Sequence, residues 1–240
     1  MRVPTEEELL TPSPAPTGGS AFENPLGEYF LRNPGRRIHK WHHYFEIYHR
    51  HLERLRGCSP VVIEFGVQNG GSLQMWHEYF GPGAQIVGID IDPRCREARE
   101  ESIEILVGDQ ADRNFLASLR QRYPQVDVVI DDGGHTMEQQ LATFQELYLH
   151  VQPRGVYICE DLHTSYIDRY GGGFGRRDTF IEFAKTLVDW LHAWYCTQPG
   201  QELDPFPRST HGMHFYDSML VLEKRPMEQP RNSMTGKPLF

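Results

Sequence analysis

Asp131-Asp132-Gly133-Gly134-His135 and Glu160-Asp161 place four carboxylates and one imidazole at two points where an apolar run stops. Val128-Val129-Ile130 leads into the first cluster and Val156-Tyr157-Ile158-Cys159 into the second. In open α/β sheets, ligands bind outside the carboxyl ends of the strands. Like charges gathered there repel unless a proton or a cation joins them. A divalent cation beside a histidine suggests metal-assisted deprotonation of a substrate.

A second constellation precedes these acids. Glu64-Phe65-Gly66-Val67-Gln68-Asn69-Gly70-Gly71-Ser72 follows an apolar run and opens a helical pattern. Glycines there let the backbone turn tightly and approach a ligand. Asp90 ends the next apolar run, where a carboxylate can accept hydrogen bonds from both ribose hydroxyls. Asp109 and Gln110 follow Ile105-Leu106-Val107-Gly108 and suit an adenine edge. Glu64, Gly66, Gly70, Ser72, Asp90, Asp109 and Gln110 are therefore the candidate cofactor residues, for a cofactor of the adenosine type. The dinucleotide pattern GxGxxG is absent, because Gln68 stands at its second glycine. A cofactor without a pyrophosphate needs less backbone clearance at that point. Taken alone, the glycine turn also fits an ordinary strand-to-helix connection.

These residues need a sheet to position them, and the pattern supplies one. Strands are expected at 61–65, 85–90, 103–107, 126–130, 156–159, 214–216 and 219–222. Helices are expected at 42–55, 71–80, 114–123, 137–151 and 179–194. Phe45, Tyr48, His49 and Leu52 share one face of the first; Leu141, Phe144, Leu147 and Tyr148 one face of the fourth; Phe180, Phe183, Leu187 and Leu191 one face of the last. Regular alternation predicts a mostly parallel seven-stranded sheet with helices on both faces, closed by an antiparallel hairpin. Trp76, Tyr79 and Phe80 are read as core. His211 and His214 form an HxxH pair, with His214 read as a strand residue rather than a ligand. Residues 1–36, rich in Pro, Gly, Ser and Thr, read as a flexible arm that orders near Tyr29-Phe30-Leu31, 37–225 as the domain, and 226–240 as a flexible tail.

Composition narrows the partners. The 240 residues are 39% hydrophobic, enough for one full core. A balance of 24 Lys+Arg against 33 Asp+Glu, net −9, with no basic block, argues against nucleic acid. No run approaches membrane-spanning length, and Thr5-Glu6-Glu7-Glu8 does not resemble a signal peptide. Cys58, Cys95, Cys159 and Cys196 lack zinc spacing and read as reduced thiols of a cytoplasmic protein. The aromatic-rich stretch around Trp41, Tyr44 and Tyr48 is expected to support a homo-oligomer.

The E-x-G-x-x-x-G turn, the acid ending strand two, Gly108-Asp109-Gln110 and the final hairpin resemble the Rossmann-like fold of class I S-adenosylmethionine (SAM) methyltransferases. Asp131-Asp132-Gly133-Gly134-His135, Glu160-Asp161-Leu162-His163-Thr164-Ser165-Tyr166 and His214-Phe215-Tyr216-Asp217-Ser218 resemble, more narrowly, the magnesium-dependent sugar O-methyltransferases of macrolide pathways, mycinamicin type. The cephalosporin hydroxylase-like group is also similar. His39-Lys40-Trp41-His42-His43-Tyr44 is similar to the Lys/His/Tyr-rich leading helix of that family. The larger macrolide enzymes carry an additional N-terminal domain, which this chain is expected to lack.

The resemblance implies SAM and Mg²⁺ (or Mn²⁺) as cofactors. It implies Asp132, Glu160 and Asp161 as metal ligands, His135 as general base, and a small hydroxylated acceptor, such as a sugar on a natural product. Asp131 is read as either structural or next to the cofactor. His163 and Tyr166 line a substrate pocket or stabilise their loop. His135 has a second reading as the cap of the following helix, and Glu160-Asp161 as a solvated loop start. Gly171-Gly172-Gly173-Phe174-Gly175 is either a lid or a plain surface loop. Two other functions stay open: a SAM-binding accessory protein for an oxygenase, and a methyltransferase of catechols or phenols. A nucleotide-sugar or NAD enzyme is disfavoured by the glycine turn and the closing hairpin.

Overall fold

A computed structural model describes residue 13 and residues 16–195 and 203–240. Seven strands form one sheet: β1 (Val61–Phe65), β2 (Gln85–Asp90), β3 (Ile103–Val107), β4 (Val126–Asp131), β5 (Val151–Cys159), β6 (Thr210–Tyr216) and β7 (Met219–Lys224). Their order is β3-β2-β1-β4-β5-β7-β6. The first five run parallel, and β7 pairs antiparallel with both β5 and β6. This is the expected Rossmann-like methyltransferase sheet with its closing hairpin.

Seven α-helices accompany it among the described residues: α1 (Pro25–Arg32), α2 (Tyr44–Leu52), α3 (Gly71–Phe80), α4 (Arg113–Arg122), α5 (Met137–Leu147), α6 (Phe180–Leu191) and α7 (Pro205–Ser209). Strand side chains alternate between the two faces. Val62, Ile86, Val128, Ile130 and Ile158 pack with α1, α2 and α3. Ile63, Val87, Val129, Tyr157 and Leu222 pack with α4, α5 and α6. Trp76, Tyr79 and Phe80 lie in the first core, as read. Phe180 and Leu187 of α6 are fully buried, whereas Phe183 and Leu191 pack at the margin of the second core.

Three expectations change. The arm expected over residues 1–36 is packed structure from Ser20 onward. Ser20–Phe22 forms a 3₁₀ turn, and Asn24 caps α1 by accepting the Leu26 and Gly27 amides at 3.1 Å. Phe22, Leu26 and Tyr29 are buried against α2 because α1 presents an apolar face that its Pro- and Gly-rich flanks mask. In α2 the inward histidine is His51, not His49; His49 sits at the rim with Nδ1 3.0 Å from the Tyr79 hydroxyl. Tyr44 and Tyr48 are buried inside the chain, so the aromatic surface on which an oligomer was expected is already covered.

The tail 226–240 carries no helix or strand. Thr5-Glu6-Glu7-Glu8 and Cys196 lie outside the described residues. Cys58, Cys95 and Cys159 are free thiols. Among the described residues, no helix is long and apolar enough to cross a membrane.

Candidate active site

Strand register brings the acids together. Phe65 of β1 pairs with Asp131 of β4, which pairs with Cys159 of β5. Gly66, Asp132 and Glu160 therefore each stand one residue beyond a common sheet edge. The ladder continues past it: the Asp132 amide donates to the Phe65 carbonyl at 3.2 Å and the Glu160 amide to the Asp131 carbonyl at 2.9 Å. Gly66 has φ +89°, and a Cβ there would lie 2.0 Å from the Asp132 carbonyl oxygen, so only glycine lets the turn approach this edge.

Asp131 and Asp132 point to opposite faces. Asp131 is buried among Gln110, Thr143 and Tyr157. The Gln110 amide donates to Asp131 at 2.5 Å and to Thr143 at 2.9 Å, and its carbonyl accepts the Gly134 amide at 3.2 Å. Burial pushes the Asp131 carboxyl up to about 6, against the hydrogen bond from Gln110. Both residues are thus engaged behind the edge. Asp132 turns instead toward Lys40.

Lys40 is the residue whose role the sequence did not reveal. It lies just before α2 rather than within it, and only 3% of its side chain is exposed. Its ammonium contacts Asp132, Glu160 Oε1 and Oε2 at 3.1 and 3.0 Å, and Glu64 at 3.4 Å. Burial alone would lower its pKa, yet the charges of Asp132, Glu160 and Glu64 hold it well above the ordinary lysine value. Glu160 also accepts from the Tyr48 hydroxyl at 2.6 Å. Burial and the nearby Asp132 charge push the Glu160 carboxyl far up. Burial likewise raises Asp132, against the pull of Lys40 and His135. Glu64 accepts from Ser72 at 2.7 Å beneath the glycine turn.

Removing the ammonium has a calculable consequence. Lys40→Met leaves three carboxylates without their cation, which should cost about 3–5 kcal/mol of stability. The loss should deepen as pH rises, because folded carboxyls with raised pKa ionise less readily than unfolded ones. Urea unfolding from pH 5 to pH 8 checks this, and an unchanged midpoint would contradict it.

The other half of the cluster opens outward. Asp161 Oδ1 accepts from Trp41 Nε1 at 3.2 Å and from the Tyr44 hydroxyl at 2.9 Å. Its Oδ2 lies 3.4 Å from His135 Nε2, which is 3.9 Å from Asp132 Oδ1. Both His135 (φ +57°) and Asp161 (φ +54°) hold left-handed backbone. Such conformations cost about 1–3 kcal/mol each and cluster at functional sites. Thr136 caps α5, forming a capping box with Gln139, so His135 is not needed as the cap.

Donor atoms of Asp132, His135 and Asp161 lie within 4.8 Å of one another. Three carboxylates (Glu64, Asp132 and Glu160) share one ammonium, Asp161 lies beside His135, and His135 Nδ1 is buried without a hydrogen-bond partner. This donor set fits a divalent cation at Asp132 and Asp161. Glu160, also expected as a ligand, shares the Lys40 ammonium with Asp132 and accepts from Tyr48.

The remaining candidates flank this centre. Asp90 accepts the Val67, Gln68 and Asp92 amides at 2.9, 3.2 and 2.9 Å, and these hydrogen bonds lower its pKa although burial opposes them. It lines a cleft of about 720 Å³ with Arg37, Gln68, Asn69 and Ala98, within the size range of small-molecule sites. Gly70, φ +75°, shapes the same turn. Asp109 is exposed, accepting its own Ala111 amide. His163 Nδ1 is 2.6 Å from Ser218 Oγ, and its ring meets Trp41 edge-on. Tyr166 is half exposed beside Phe174. The glycine loop is tied back by the Gly172 and Gly173 amides, which donate to Ile167 and Ser165.

No protein-family model matches the chain. It is 35% identical over 197 residues to the 8-demethyl-8-alpha-L-rhamnosyl tetracenomycin-C 2'-O-methyltransferase of Streptomyces olivaceus, covering 78% of this chain and 52% of that protein. It is 36% identical over 199 residues to the demethylmacrocin O-methyltransferase of Streptomyces fradiae, with 77% and 50% covered. Its structure resembles that of MycE, a methyltransferase of the mycinamycin pathway solved with Mg and SAH. The TM-score is 0.76 at 32% identity, over 85% of this chain and 55% of MycE. The chain thus spans about half the length of these relatives.

Proposed function

As a chain of the class I methyltransferase fold, related to the natural-product sugar O-methyltransferases, this protein is, we propose, a SAM-dependent O-methyltransferase of a hydroxylated small molecule. The proposed acceptor is a sugar of a glycosylated natural product. The observation that carries the reading is the convergence of Asp132, Asp161 and His135 at the sheet edge, with Asp132 lining one pocket together with Gly66, Val67 and Gln68 of the glycine turn.

In this reading SAM lies on the Gly66–Gly70 turn. Asp90 holds that turn through the Val67 and Gln68 amides and offers its remaining acceptor capacity to the ribose. Asp132 and Asp161 hold Mg²⁺ or Mn²⁺, since magnesium prefers oxygen ligands and keeps several waters. When bound, the cation lowers the pKa of an alcohol from the order of 15 by several units. Lys40, Tyr48 and Glu160 fix the inner wall. Trp41 and Tyr44 fix the Asp161 carboxylate. His135, whose nitrogen magnesium does not require, takes the proton of the acceptor hydroxyl. His163 and Tyr166 border the acceptor side. The strained backbone at His135 and Asp161 favours catalysis over an accessory role, which needs no positioned base. The free thiols accord with the cytoplasmic location included in this reading.

Asp90→Ala should weaken SAM binding by roughly 10- to 100-fold, the worth of a charge-assisted hydrogen bond together with a loosened turn. Calorimetry with SAM and with NAD tests the cofactor assignment. Equal SAM affinity in the variant, or preference for NAD, would overturn it.

A further inference from the structure

A second cluster lies away from the acid edge, where α2 crosses the β6–β7 hairpin. His51, His214 and Glu223 bring one donor atom each within 4.8 Å of the others. We propose that His51, His214 and Glu223 form a binding site for a transition-metal dication of the zinc type, separate from the Asp132–Asp161 centre.

Glu223 reaches both histidines with different oxygens: Oε1 is 2.8 Å from His51 Nδ1, and Oε2 is 3.8 Å from His214 Nε2. With metal–ligand bonds of 2.0–2.2 Å, tetrahedral ligands stand about 3.4 Å apart, inside the 4.8 Å that spans one donor atom from each of the three residues. The two rings lie 4.6 Å apart between centroids. His214 Nε2 is buried with no hydrogen-bond partner, so its nitrogen is not committed to another group of the protein.

A partner that would orient the His51 ring is also present. His51 Nε2 is 2.9 Å from the Tyr216 hydroxyl. An imidazole ligating through one nitrogen usually gives its other N–H to such a partner, which fixes tautomer and ring orientation. Burial lowers the His51 pKa, favouring the neutral ring that a metal requires. On binding, the metal takes His51 Nδ1 and the single ring proton moves to Nε2, facing the Tyr216 hydroxyl.

Donor chemistry separates the two centres. Two imidazoles and one carboxylate suit zinc and its neighbours, whereas carboxylates and water suit magnesium. Three protein ligands leave a fourth position to water or a partner group. His214 is a strand residue, as read from the His211-x-x-His214 pair, and His211 is not among its neighbours in this cluster. The partners of His214 are His51, on a helix far back in the chain, and Glu223, on the adjacent strand. An occupied site would pin α2, which also carries Tyr44 and Tyr48, to the hairpin.

The test titrates Zn²⁺ into metal-stripped full-length protein carrying Asp132→Asn and Asp161→Asn, which removes the acidic centre. One equivalent should still bind. Adding His214→Ala should lower the affinity at least tenfold, and Tyr216→Phe by roughly 10- to 100-fold. Circular dichroism confirms folding. If the double variant does not fold, wild type against His214→Ala gives the same answer as the loss of one equivalent of Zn²⁺. No Zn²⁺ bound by the folded double variant, or binding indifferent to His214→Ala, would overturn the proposal.

Discussion

His135→Ala should lower the turnover number by roughly two to four orders of magnitude, the scale of a lost general base. SAM affinity and cation affinity should stay close to wild type, because magnesium takes oxygen ligands and the turn lies on the other side of Asp132. The fold should tolerate the change. The helix that follows is capped by Thr136 and Gln139, and the His135 side chain makes no hydrogen bond through Nδ1. The residual rate should rise with pH as hydroxide substitutes for the base. Initial rates of His135→Ala from pH 6 to pH 9 check both points. Wild-type turnover in this variant would leave the cation assignment standing and remove the base.

Asp161→Asn should remove cation-dependent activity, by at least two orders of magnitude, without loss of SAM binding. The substitution keeps shape, and an amide oxygen can still accept from Trp41 and Tyr44, at 3.2 and 2.9 Å in the native pair. What changes is the charge beside His135 and Asp132. Because those two hydrogen bonds survive, a collapse of the fold is not the expected cause, and unchanged thermal unfolding serves as the control. If the variant turns over normally at saturating Mg²⁺, the cation is not held by Asp161.

Strands β1 to β5 and β7 were legible because each carries an apolar run, whereas β6 was read only from residue 214 because Thr210-His211-Gly212 is polar or small. β5 was read short because Gln152-Pro153-Arg154, near its start, is polar and mostly exposed. Helix α1 was read only as local order near Tyr29-Phe30-Leu31 because Pro25 and Gly27 look like loop residues. Its capping by Asn24 and its burial on α2 emerge only when Phe22, Leu26 and Phe45 meet in space.

The site was half legible. Asp132, Asp161 and His135 stand together because strand register aligns the ends of β4 and β5, and register follows from the apolar runs. The partner of Glu160 was not legible, since Lys40 lies 120 residues away and no local pattern marks the pairing. Tyr48 was read as one more apolar position of a helix, although its hydroxyl reaches Glu160. Gln110 illustrates the reverse. Its place after β3 suggested a ligand contact, yet its amide is satisfied by Asp131, Thr143 and Gly134. Position along a sheet edge identifies which residues can reach a ligand. Whether a side chain is already satisfied by the protein depends on long-range packing.

The central claim is that a divalent cation at Asp132 and Asp161 enables methyl transfer from SAM to a sugar hydroxyl. Its most direct test incubates the full chain with SAM and a panel of deoxysugar-bearing polyketides, in Mg²⁺ and in EDTA, and follows methylated glycoside and S-adenosylhomocysteine together by mass spectrometry. The account predicts both products in equal amounts in Mg²⁺, none in EDTA, and recovery when Mg²⁺ or Mn²⁺ is returned in excess. Equal yields of methylated glycoside in EDTA and in Mg²⁺ would contradict it.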